Sequence, residues 1–136
     1  MTDIMGVIDS THLIELVDKL LPFDDVVLKF CVVDPTGIAE QKPNSVLPRI
    51  SSLAQRVVDA IGYGQERSTG LRFEHEGIPL CLMPGLEDLI SNLKSHGFLN
   101  ITEVNDPTFY PVDDGVKEQT PRCDGCKFEE SCAGIY

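Results

Sequence analysis

Between Asp9-Ser10-Thr11 and Pro22, apolar residues recur at Leu13, Ile14, Leu16, Val17, Leu20 and Leu21. Spacing of three and four predicts an amphipathic helix, with the polar triplet offering N-caps and Pro22 ending it. The next segment, Val26-Val27-Leu28-Lys29-Phe30-Cys31-Val32-Val33, is β-branched and nearly continuous in apolar character. It predicts a strand buried on both faces, as in a parallel sheet, with Cys31 as a small core residue. Pro35-Thr36-Gly37 reads as a turn, and the loop stays polar through Pro43-Asn44. Ile50, Leu53, Ala54, Val57, Val58 and Ile61 predict a second helix. It would start near Ser45, with Pro48 in its first turn and Gly62 or Gly64 as its stop.

A weaker strand is predicted at Gly70-Leu71-Arg72-Phe73-Glu74. Ile78-Pro79-Leu80-Cys81-Leu82-Met83 is a clearer apolar segment, although Pro79 limits ladder bonding. Leu86, Leu89, Ile90 and Leu93 form the stripe of a third helix after Pro84-Gly85, stopped by Gly97. Beyond Ile101, residues 104–122 are rich in proline and aspartate and read as a loop or extended crossover. The order helix, strand, helix, strand, helix predicts an α/β fold with parallel connections. Two or three strands are too few for a closed barrel of about eight, so the elements read as part of a larger sheet. The reading gives two regions, an α/β part over 1–103 and a crossover with a cysteine-rich segment over 104–136.

Charge narrows the partners. The 136 residues include 22 acidic and 11 basic side chains, for a formal net charge of −11. That sign excludes a nonspecific binder of nucleic acid or of anionic membranes. No apolar run is long enough to predict a membrane span, and Met1-Thr2-Asp3-Ile4-Met5 lacks the basic start of a signal peptide.

Five cysteines, at 31, 81, 123, 126 and 132, change the picture most. An odd count without a secretory signal argues against a disulfide framework and for a reducing, cytoplasmic setting. The last three form C-x2-C-x5-C. A two-residue spacer lets two thiolates face one metal, and Gly125 frees the backbone for the turn. Thiolates are soft ligands suited to zinc, copper(I) or iron–sulfur clusters. Three ligands leave such a site one short. Cys81, near an element end, is the preferred fourth ligand over Cys31.

Other residues carry less. His12, His75 and His96 share no ligand spacing and read as exposed helix or loop residues. Glu74-His75-Glu76 alternates like a solvated strand edge, and Asp113-Asp114 reads as a solvated loop. Thr36 and Gly37 follow a buried strand, where α/β folds place ligand loops, and are candidate cofactor-binding residues.

Cys123-x2-Cys126-x5-Cys132-Ala133-Gly134 resembles the cysteine run of radical SAM enzymes with a C-terminal auxiliary iron–sulfur region of the SPASM or twitch kind. Lys29 to Ala39 is similar to a late barrel strand and its loop in that superfamily. Ile78-Pro79-Leu80-Cys81 resembles a segment that precedes the run in some members. The similarity spans about residue 7 to the end. It implies partial (β/α) barrel units followed by a cysteine-rich loop that binds an auxiliary [4Fe-4S] cluster through Cys81, Cys123, Cys126 and Cys132. Such a cluster would transfer electrons or position substrate. The chain departs from the family in lacking C-x3-C-x2-C, so S-adenosylmethionine would bind only in a complete enzyme. The resemblance therefore implies the C-terminal portion of such a protein, split or truncated. It would work with a missing N-terminal half or a partner protein, on a peptide or protein substrate. Two readings from other classes stand beside it: an α/β binding module with a structural zinc, and an α/β interaction domain with free thiols.

Overall fold

Leu13 and Val17 lie one helical turn apart, and both are buried on the inner side of α1 (Leu13–Leu20). The chain then passes through Asp25, whose φ of 58° is left-handed, and enters β1 (Val26–Cys31). A short helix α2 (Ile38–Gln41) and the long α3 (Ile50–Gln65) lead to β2 (Leu71–Glu76). These elements belong to a computed structural model that describes residues 12–32, 38–43, 47–90, 99–101, 109–111 and 117–135. The chain divides into two compact units, Met1–Ser91 and Asn92–Tyr136.

The first unit is α/β. Its β1 and β2 pair in parallel, in a register that sets Val26 beside Leu71, Leu28 beside Phe73 and Phe30 beside His75. Parallel neighbours need a long crossover, and α3 belongs to it. The inner face of the pair, with the facing sides of α1 and α3, buries Val17, Val57, Ile61, Phe73 and Met83. Each fully buried aliphatic or aromatic side chain of this kind stabilises the fold by about 1.5–3 kcal/mol. Gly62 and Gly64 do not stop α3, which runs on to Gln65. A Cβ on Gly64 would collide with the Phe73 ring and press on Val17, so this glycine lets helix and sheet approach closely. The start expected near Ser45 lies outside the described residues, and Pro48 precedes the helix.

Four further expectations are corrected. β1 is not buried on both faces: Val27, Lys29 and Cys31 point away from the core and are exposed. Among the described residues nothing buries this outer face, and Lys29 in the middle of the run is the residue that had to face water. Cys31 is therefore not a core residue. The apolar stretch after Ile78 is no strand but a 3₁₀ turn, Leu80–Leu82, in which Leu82 N–H donates to Pro79 O at 2.9 Å. Nor does a helix run through Leu86 and Ile90. A second 3₁₀ turn, Glu87–Leu89, gives way to extended Ile90, which bridges to His75 in parallel fashion. Leu86 and Leu89, three apart, still pack on the core, because 3₁₀ periodicity aligns i and i+3. The rest of that expected helix lies outside the described residues.

In the second unit, β3 (Leu99–Ile101) and β4 (Phe109–Pro111) pair antiparallel, and β4 falls within residues 104–122, which read as a loop or extended crossover. Three-residue strands are too short to leave a periodic signal. The cysteine segment follows. No helix among the described residues is long and apolar enough to cross a membrane.

Candidate metal centre

Residues 117–135 form a loop closed on itself by backbone pairing. Glu118 N–H donates to Ile135 O at 2.8 Å, and Ile135 N–H returns the bond to Glu118 O at 3.0 Å. Gly134 makes this closure possible. Its φ is 98°, and a Cβ there would collide with the Glu118 carbonyl. Only glycine meets both conditions.

Inside this closure each cysteine sits on a defined turn. Pro121 opens a 3₁₀ turn, Pro121–Cys123, and Cys123 N–H donates to Thr120 O at 2.8 Å. Cys126 N–H donates to Cys123 O at 2.9 Å. Asp124 has φ −58° and ψ 119°, and Gly125 has φ 72°. These are the angles of a type II β-turn, with glycine at the position that demands positive φ. The C-x2-C pair therefore occupies the two ends of one tight turn. Cys132 N–H donates to Phe128 O at 2.8 Å, ending a further turn.

Side chains hold the turns in place. Gln119 Nε2 donates to two carbonyls, Glu129 O at 2.5 Å and Cys132 O at 2.9 Å. Glu129 accepts from Gly125 N–H at 3.0 Å. The Thr120 hydroxyl lies 3.8 Å from Cys123 Sγ. All three thiols are partly buried. Asp124, Glu129 and Glu130 are exposed beside them, and the Lys127 ammonium lies 4.4 Å from the Phe128 ring centre.

The donor set is soft, and it sits on a backbone that already bends as a two-cysteine metal turn requires. That is the fit to a thiophilic metal or cluster. Among the described residues, no three His, Cys, Asp or Glu side chains converge as a finished metal site. The loop holds a candidate donor set and a frame rather than a closed coordination sphere.

The other candidates fall elsewhere. Cys81 lies in the Leu80–Leu82 turn of the first unit and is exposed. Cys31 is exposed on the outer face of β1. Thr36, Gly37, His96 and Asp113-Asp114 lie outside the described residues. His12 is exposed, as expected. His75 is not: it is completely buried on the inner face of β2, and its Nε2 lies 3.1 Å from Leu86 O, to which it donates. Burial pushes its pKa below the usual 6.5, against the opposing pull of the Leu86 carbonyl. The signal for it was the alternation Leu71, Phe73, His75, which continues the apolar phase of the strand and not the charged one. The neighbouring Glu76 faces outward and pairs with Lys29. Burial tends to lower the Lys29 pKa, but the Glu76 carboxylate outweighs it and raises the ammonium above 10.5.

No family model, curated protein or solved structure matches this chain.

Proposed function

We propose that residues 117–135 are a metal-binding loop in which Cys123, Cys126 and Cys132 hold an iron–sulfur cluster, as an auxiliary site of a larger redox enzyme of the radical SAM kind. The observation that carries this reading is the type II turn across Cys123 and Cys126. It sits within a loop that brings Cys132 back to a turn of its own. When bound, a [4Fe-4S] cluster supplies one-electron chemistry or an iron for substrate. The chain's own residues hold it, and the exposed carboxylates of Asp124, Glu129 and Glu130 add negative charge that lowers its potential. On this reading the α/β unit corresponds to late barrel units, and an N-terminal half or partner protein binds S-adenosylmethionine. Cys81 enters the ligand set on its place near an element end and on the sequence resemblance.

The test is anaerobic reconstitution of the full chain with ferrous iron and sulfide. The expected product is brown, with broad thiolate-to-iron absorption that Cys123→Ser, Cys126→Ser and Cys132→Ser each abolish or reshape. Cys81→Ser should change the spectrum if that thiolate is a ligand, and an unchanged spectrum removes it from the set. A colourless protein carrying stoichiometric zinc on the same three cysteines overturns the iron–sulfur reading in favour of a structural zinc.

A further inference from the structure

Glu118, Gln119 and Thr120, a few residues ahead of the first cysteine of the run, touch the loop at its start, middle and end. Thr120 O receives Cys123 N–H, at the start. The Gln119 amide binds Glu129 O and Cys132 O, in the middle. Glu118 pairs with Ile135, at the end. None of the three is a cysteine. Glu118 and Gln119 thus reach Glu129, Cys132 and Ile135 on the far side of the loop, which also carries its own turn onto Phe128 O.

The geometry points to Glu118-Gln119-Thr120 as a strap that sets the cysteine loop before metal arrives, with Gln119 as the positioning residue for Cys132. The inference rests on the metal reading above and adds a residue to it. Gln119 suits the task because its amide nitrogen carries two N–H donors and the loop presents two carbonyls to it. A carboxylate in the same place would have no donor to offer. Gly134 is the matching half of the strap. Its missing side chain lets the Glu118 carbonyl lie directly against the chain that follows Cys132.

Residues that orient metal ligands without touching the metal typically contribute about 10–100-fold to affinity. A loop that the strap holds ready avoids the ordering cost that an unfolded site meets on binding. Gln119 should therefore act on both the metal-free loop and the metal affinity.

Two readouts on the full chain test this. The first is amide hydrogen exchange in the metal-free protein. Gln119→Leu should speed exchange at Cys132 and Ile135, and Gly134→Ala should do so at Glu118 and Ile135. Amides of β1 and β2 should keep their rates. The second is titration with cobalt(II) alone, read by its thiolate charge-transfer band. Gln119→Leu should weaken binding by about 10–100-fold. Gln119→Lys, which restores donors without an acceptor, should recover most of it. Unchanged exchange and unchanged cobalt affinity in both variants overturn the strap, as does equal acceleration across β1 and β2. Failure of the unaltered chain to bind cobalt at all overturns the metal reading instead, and the exchange arm still decides the strap.

Discussion

The α/β unit and the cysteine loop are held together by different forces. The first buries Val17, Val57, Ile61, Phe73 and Met83 in one continuous apolar cluster. In the second, Gly134 is the only buried residue between 117 and 135. Its order comes from backbone turns, two positive-φ glycines and the double bond from Gln119. An apolar core tolerates imprecise partners, because burial is not directional. A hydrogen-bonded loop does not, and single exposed hydrogen bonds contribute little against the entropy of the chain. On the proposed reading, a metal that joined its turns would supply such a segment's main stabilisation.

The largest expected effect tests the first half of this comparison. Phe73 is buried against α3, with its ring over Gly64. Phe73→Ala should cost about 3–5 kcal/mol in denaturant unfolding, as lost burial and a cavity the rigid helix cannot fill. A cost within about 0.5 kcal/mol, the range of surface substitutions, would show that the first unit is not held by its core.

Legibility divides along the same line. Helix α1 was readable because Leu13, Val17 and Leu20 repeat at helical spacing and Pro22 stops them. α3 was readable in its apolar face but not its end, because Gly64 is there for Phe73, a partner far off in sequence. β1 was recognised as a strand, yet its burial was overestimated because apolar composition does not say how many layers cover a sheet. His75 was missed for the opposite reason: its chemistry suggested water and its phase in the strand dictated burial. At the cysteine loop, positions 123, 126 and 132 and the glycine turn between the first two were legible from spacing. The Gln119 contacts and the Glu118–Ile135 closure were not. Side-chain to backbone bonds and single bridges carry no periodic signature.

An intermediate effect comes from His75, the one polar side chain in the apolar cluster's sheet face. Its folded pKa is lowered by burial, so the unfolded chain binds the proton first as the pH drops. Its contribution to stability is full above the unfolded value of about 6.5 and is lost as the pH falls from there toward the lowered folded value. Urea unfolding should show stability declining below that pH by up to about 1.4 kcal/mol per unit from this group. His75→Phe removes the titration. The low-pH decline should shrink, although the variant loses the bond to Leu86 O and starts from a lower stability. An undiminished decline would assign the acid sensitivity to other groups and leave His75 as ordinary core.

The smallest effect lies on the outer face of the same sheet, where the comparison is sharpest. Lys29 and Glu76 pair across β1 and β2 with both side chains more than a third exposed. Water and salt screen such a pair, so its worth is about 0–1 kcal/mol. Burial is the largest single influence on Lys29 and lowers its pKa, but the hydrogen bond and charge of Glu76, with smaller help from Glu74, together raise the ammonium above 10.5. A raised folded value means the contribution is present at neutral pH and is lost only as the pH climbs through that folded value. Glu76→Gln should therefore change stability at pH 7 by no more than about 1 kcal/mol, and less at high salt. The variant and the unaltered chain should converge at high pH, once Lys29 has lost its proton. A loss as large as that of Phe73→Ala would mean that the outer face, and not the apolar side, holds the two strands together.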